Sequence, residues 1–382
     1  MTPKQRTLAA FDGRPTDRFP TAVLYHNLFV EDCFTQLMGA PAWCAHPLPY
    51  LEPDEYLTLY REIITRAPFD ILEPAAGCHS RAVRDRNEFV EKGGHPFRHD
   101  TETDEWFALD MPTRSGHAHD GSMNEAQTLF TSGEIDAQLS LRPAATISQD
   151  GQFDQLDAAV AEFGDTHFML RNGPSGALGW CVGNFGMTNT MAMLIEQPGL
   201  IDHMIAKSLE QAVETLRRIA AAGIDGVYCW EALGTGELIS PAHYERFCLP
   251  YAQAMVAEAH RLGLKVILAC YGDVMDRLEL IAATGADALQ PECAMKGYTN
   301  DIHEIAETIG DRMTLFANID PHWCLEKATD AELEAEVRRQ VAAGRKARGF
   351  VLAPASPITP GTSLARVQHF LELCHTHGSP TM

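Results

Sequence analysis

One phrase, repeated along the chain, limits its fold more than any other feature: a short, nearly continuous apolar run, a turn, and then a longer helical stretch. The runs lie at Phe19–Asn27, Phe69–Ala76, His167–Pro174, Gly226–Leu233, Lys265–Gly272, Ala286–Glu292, Arg312–Asp320 and Gly349–Ser356. Apolar character on both faces is the mark of parallel strands covered on both sides, whereas a half-exposed strand alternates. Three runs are entered through helix, small residue, glycine, strand, as in AAAGIDGVYCW, HRLGLKVILACYG and AATGADALQPE. Glycine is the common residue just past a helix end. The stretch Pro198–Ala222 stops in this way at Gly223, and another opens at Ser240-Pro241, a serine cap followed by proline in the first turn. Eight such units predict a (β/α)8 TIM barrel.

The 382 residues are read as a single domain, 1–382, with an insertion after strand two. Residues 77–166 are too many for one crossover helix, so they are expected to add a few antiparallel strands and a helix near Phe153–Phe163. Composition narrows the function classes. With 30 Lys+Arg against 52 Asp+Glu the net charge is −22, which repels nucleic acid and anionic membrane surfaces. Ten cysteines without a CxxC pair read as reduced, buried thiols of a cytoplasmic protein. Neither a secretory apolar segment nor a membrane span is read in the sequence. The oligomeric state is left open.

In such a barrel the chemistry sits at the C-terminal strand ends. Those ends offer His26 and Asn27; Glu73, followed by Cys78, His79 and Arg81; Arg171 and Asn172; Glu231; Cys270 and Tyr271; Gln290, Glu292 and Lys296; Asn318, Asp320 and His322; and Ser356. A carboxylate closing an apolar strand is costly to bury unless it is paired or lines a cleft, which singles out Glu231, Glu292 and Asp320. Each also has a structural reading: Glu231 as a cap or arginine partner, Glu292 with Lys296 as a rim ion pair, and Asp320-Pro321 as a turn. The cluster Arg81, Arg84 and Arg86 either grips an anion or is a solvated loop. Phosphate-loop, dinucleotide, nucleophile-elbow and HExxH motifs are missing, and His117 with His119 lacks a third nearby metal ligand.

The opening KQRTLAAFDGRPTDRFP, the phrases ISPAHYERFCLPY, LKVILACYGD and TGADALQPE, and the later LFANIDP and GFVLAPASPITPGTSLARVQ together resemble the uroporphyrinogen decarboxylase superfamily, in order from residue 4 to about 373. That superfamily includes decarboxylases that act on a polycarboxylated tetrapyrrole without a metal, and corrinoid- or thiol-linked methyltransferases that hold zinc. The decarboxylase signature carries arginines where this chain has PTAVLYHNLF, and its His-Gly is replaced by Ser356-Pro357. The methyltransferases' zinc-binding His-x-Cys falls on Ala269 and Tyr271, and the segment LAPASPI has no cysteine for the distant ligand. Zinc is therefore not expected at that place. Cys270 should point away from the interior, because side chains alternate along a strand.

The resemblance implies an enzyme nearer the methyltransferase branch, moving a methyl or other one-carbon group from a small substrate to a corrinoid or thiol acceptor. No tightly bound cofactor is expected; a corrinoid would arrive on a separate carrier protein. Tyr271, Glu231 and His26, with Glu292 and Asp320, are the expected catalytic residues. His79, Arg81, Asn172, Lys296, Asn318 and His322 are the expected substrate-binding residues. The alternatives are a metal-free decarboxylase or lyase, which would put Arg81, Arg84 and Arg86 in the pocket, and a non-catalytic ligand-binding barrel.

Overall fold

A computed structural model describes residues 1–74, 77–109, 131–139, 150–293 and 297–379. Its centre is a seven-stranded parallel sheet. The first of its strands is β1 (Ile71–Leu72). Three antiparallel strands follow in the chain, β2 (Asn87–Lys92), β3 (His95–Asp100) and β4 (Glu105–Ala108), and form a small sheet of their own. The central sheet continues with β5 (Phe168–Asn172), β6 (Gly226–Trp230), β7 (Lys265–Cys270), β8 (Ala288–Pro291), β9 (Thr314–Phe316) and β10 (Gly349–Val351). Their spatial order is β1-β5-β6-β7-β8-β9-β10, so sequential strands are neighbours with helical crossovers between most of them.

The sheet curls. At one edge, Leu352 N–H donates to the Pro20 carbonyl and Ala22 N–H donates to the Leu352 carbonyl. At the other edge, Asp70 N–H donates to the Thr21 carbonyl. The segment around Thr21 thus touches both edges, β10 and β1. Only Thr21 forms a strand bridge there, and the run read as a strand through Asn27 is cut short. Tyr25 takes a left-handed backbone (φ 61°), and the helix His26–Met38 starts at the next residue. Such a backbone is uncommon for a side chain other than Gly, Asn or Asp, and the apolar run gives no hint of it.

Alternation divides the side chains into two layers. Ala22, Leu24, Ile71, Phe168, Leu170, Tyr228, Ile267, Ala269, Ala288, Phe316, Val351 and Ala353 pack inside the curl. Their neighbours, among them Cys229, Leu268 and Cys270, face the surrounding helices. The helix Pro3–Phe11 caps the N-terminal end of the sheet. A capping box at Thr2 and Gln5 starts it, Phe11 stacks on Phe168 (5.4 Å between ring centres), and Thr314 Oγ1 donates to the Ala10 carbonyl. Gly349 is required at that contact, since a Cβ there would lie 1.9 Å from the Ala10 oxygen.

The buried carboxylate of Asp70 binds this end together. It accepts from Arg6, from both terminal nitrogens of Arg18 (2.6 and 3.2 Å), and from Thr21 N and Oγ1 (2.8 and 3.0 Å). Within 77–166, the helix Asp154–Phe163 accompanies the small sheet. Among the described residues, no helix is long and apolar enough to cross a membrane.

Candidate active site

At the C-terminal ends of the strands the interior layer closes in a run of aromatic hydroxyls between two carboxylates. Glu73, just past β1, is buried. Its Oε2 accepts from the backbone N–H of Tyr25 (2.9 Å) and His26 (3.3 Å), and its Oε1 accepts from the Tyr228 hydroxyl at 2.9 Å. Burial raises its pKa to about 7, opposed by the hydrogen bond from Tyr228, by the two amides and by the charge of Arg171. Tyr25 meets Tyr228, Trp230 and Tyr271, with ring centres 5.7, 5.6 and 6.2 Å apart. The left-handed turn at Tyr25 delivers both this ring and the helix amides that hold Glu73.

Tyr271 follows β7 on the inner face, one alternation beyond Ala269, whereas Cys270 lies in the outer layer. Its hydroxyl is buried and faces that of Tyr25 without completing a hydrogen bond of normal geometry. Burial raises the Tyr271 pKa well above the usual phenol value, and the neighbouring Tyr25, Tyr228 and Glu292 add to it. Burial also raises Tyr25, which senses both Glu73 and Glu292. Glu292, following β8, accepts from the Tyr298 hydroxyl. Asn300 and Asn318 donate side-chain N–H groups to its backbone carbonyl (3.0 and 3.4 Å). At neutral pH the phenols are held protonated, so they can donate. Glu73 sits near its midpoint and can exchange protons.

Of the residues expected to act, Tyr271 and Glu292 come together here; the other expectations are corrected as follows. Glu231 lies in the outer layer. The order Tyr228 in, Cys229 out, Trp230 in puts it beside Tyr244, Cys248, Cys270 and Arg277, between Gly176 and Gly234, whose added Cβ atoms would lie 2.7 Å from its oxygens. Burial raises its pKa to about 7 against the pull of Arg277 and Cys248. His26, the first residue of its helix, is packed against Phe29, Tyr60 and Phe69, with neither ring nitrogen hydrogen-bonded. Burial lowers its pKa to about 3, so it is a neutral ring in the outer layer.

Asp320 caps a helical turn, Pro321–Lys327, accepting from His322 N and Trp323 N at 2.8 Å each, so the turn reading holds there. His322 is exposed beside Lys327 and Glu326. Asn318 is taken up by Gln340, Asn300 and Glu292. His79 lies tilted against Tyr50 (4.0 Å between ring centres), away from the tyrosine run. The arginine cluster is spent on acids: Arg81 on Asp154, Arg84 on Glu52 and Asp154, and Arg86 on Asp100 and Glu102. Asn172 is exposed and lines a separate lateral cavity. Lys296, His117 and His119 lie outside the described residues.

Tyr25, Tyr228, Trp230 and Tyr298 were not on the expected list. Tyr228 and Trp230 could have been found from the period of two within GVYCW, which puts them on one face with Gly226. The residues do not fit the superfamily's zinc site. Ala269 has no donor atom, Tyr271 is held as a neutral phenol, and Ala353 and Ala355 stand near the third position. Among the described residues no three His, Cys, Asp or Glu side chains are grouped to hold a metal.

The sequence model of the uroporphyrinogen decarboxylase (URO-D) family matches residues 172–377, and the chain belongs to that family. Among curated relatives, a uroporphyrinogen decarboxylase of Myxococcus xanthus is 27% identical over 187 residues, 49% of this chain and 50% of the relative. Another, of Tolumonas auensis, is 28% identical over 192 residues, 49% of this chain and 51% of its own. The chain thus spans about half the length of the curated relatives it matches. Among solved structures, a methyltransferase from Methanosarcina mazei superposes with a TM-score of 0.67 at 17% identity, over 98% of both chains. At that identity the likeness is one of fold.

Proposed function

We propose that this protein is a cytoplasmic transferase that moves a methyl or other one-carbon group from a small substrate to a thiol or corrinoid acceptor, with Tyr271 as the proton donor. We read the whole chain as one (β/α)8 domain, the Thr21 segment serving as its eighth strand and residues 77–166 as an insertion. The observation that carries the functional reading is the cluster of neutral hydroxyls, Tyr228, Tyr25 and Tyr271, packed ring to ring between Glu73 and Glu292. In the proposed step the bond from the methyl carbon to the substrate's leaving oxygen or nitrogen breaks and a bond to the acceptor forms. The leaving atom keeps the electron pair and takes the Tyr271 proton, which protonated Glu73 restores by way of Tyr228 and then Tyr25. A corrinoid acceptor would arrive on a separate carrier protein.

Spending Arg81, Arg84 and Arg86 on nearby acids argues against a grip on a substrate bearing many carboxylates. The test is to follow labelled methyl ethers and methylamines with free cobalamin or a thiol, and to trap CO2 from carboxylated substrates in parallel. Methyl transfer that falls about 100-fold in Tyr271→Phe, with folding intact, is the expected result. CO2 release without methyl transfer would replace the reading with a lyase, and an unchanged rate in Tyr271→Phe would remove that residue from the mechanism.

A further inference from the structure

On the outer wall, over the end of β5 and between the helices Asp154–Phe163 and Pro198–Ala221, lies a cavity of about 460 Å³. It is separate from the tyrosine run, because Arg171 faces outward on a strand whose inner face carries Phe168 and Leu170. Two guanidinium groups line it, those of Arg171 and Arg218. Elsewhere in this chain, with its net charge of −22, the buried arginines meet carboxylates: Arg6 with Asp70, Arg84 with Asp154, and Arg277 with Asp276. Arg171 and Arg218 do not. Among the described residues neither forms an ion pair. Arg171 lies over the face of Phe153, 5.9 Å away, and feels the Glu73 charge from across the sheet without pairing with it, and Arg218 donates to Thr215 Oγ1 at 3.2 Å.

The Arg218 Nε is buried without an acceptor. Burial and the charge of Arg218 lower the Arg171 pKa to about 10 against the opposing pull of Glu73, as expected of two cations facing one space. Asp157 shares the wall without forming an ion pair to either, and burial together with Asp154 raises its pKa. A partly buried guanidinium without an ion pair is costly, and a forked donor with no acceptor to grip fits a planar or tetrahedral oxyanion. The remaining wall is apolar, from Leu156 and Ile219, so the charged head is not all the cavity accommodates.

We propose that this lateral cavity binds a small organic anion, a carboxylate or phosphate carrying an apolar body. Arg171 and Arg218 hold its head, and Phe153, Leu156 and Ile219 cover the rest. The test is calorimetric titration of the purified full chain with benzoate and with phenyl phosphate, using inorganic phosphate and benzyl alcohol as controls for head and body alone. At least one organic anion should bind saturably at one site, more tightly than either control, and the better of the two tells carboxylate from phosphate. Its affinity should fall about tenfold or more in Arg218→Gln, as for loss of a charged hydrogen-bond partner. It should also fall in Ala221→Phe, which fills the cavity from an exposed position and leaves both arginines in place. Failure of both anions to saturate would overturn the proposal. So would binding no tighter than the controls, or binding unchanged in the two variants with circular dichroism showing them folded.

Discussion

Replacing Glu231 by glutamine should make the protein more stable at alkaline than at acidic pH relative to wild type, by an amount fixed by where the carboxyl sits. Buried in the outer layer, it has its pKa raised to about 7 from the ordinary 4.5. Below pH 4.5 it is protonated whether the chain is folded or not. Between 4.5 and 7 the unfolded chain gives up the proton and the folded chain keeps it, so folding loses stability as pH rises, and above 7 the loss is complete. At about 1.4 kcal/mol per pH unit, wild type gives up roughly 2–3 kcal/mol between pH 5 and pH 8 through this one group. Glutamine does not titrate.

The variant also leaves Arg277 its bonds to the carbonyls of Gly234 and Ile239 (2.8 Å each) and to Asp276, and any cost of burying the amide is the same at both pH values. Urea unfolding of both proteins at pH 5 and pH 8 gives the difference directly. Glu73 titrates over the same range but is present in both, so it cancels. A stability difference that does not grow with pH would show that Glu231 is not the buried carboxyl described, and one of opposite sign would show that its ionised form is held by a partner.

Three further outcomes are expected. Asp70→Ala takes the buried carboxylate from Arg6 and Arg18, leaving Arg6 with Asp17 and Arg18 with the Phe19 carbonyl, and should cost about 3 kcal/mol in chemical unfolding; a loss below 1 kcal/mol would mean that the cluster is solvated. Gly349→Ala drives a methyl group into the Ala10 carbonyl and should cost about 3 kcal/mol or more, read as a lowered melting temperature, whereas an unchanged one would show that the N-terminal helix shifts freely. Tyr228→Phe removes one of three donors to Glu73, so its pKa should move above 7 and carry the alkaline limb of any pH–rate profile upward with it; a fixed profile would take Glu73 out of the reaction.

The barrel-like order of strands was legible because burial on both faces leaves a simple mark. β5 to β10 fall within the apolar runs that announce them, and the glycines after helices locate their starts. The first run misled for a local reason: nothing in FPTAVLYHN distinguishes a strand that goes on from one that ends in a left-handed tyrosine, and His26 was misplaced with it. Glu231 is a different kind of error. Counting alternate residues from Cys229 would have put it outside, since an acid at a strand end signals cost before it signals direction. Tyr271 and Glu292 were readable by the same count. Glu73 was visible as a strand-end acid, but its weight comes from Tyr228, 155 residues away, and from two amides of a helix whose start the sequence conceals.

The bonds from Leu352 to Pro20 and Ala22, and from Thr314 to Ala10, have a consequence for the route of folding. They join residues more than 300 positions apart, and Asp70 adds Arg6 and Arg18 to the same junction. The first twenty residues find Asp70 and Phe168 early, but complete their docking only when β9 and β10 exist. Loops that long are slow to close, so the sheet should assemble from its middle outward and seal at Thr21 last. During synthesis the side of Pro3–Phe11 that meets Thr314 and Gly349 stays uncovered until the last strands emerge, a window in which a holding chaperone would find a ready target.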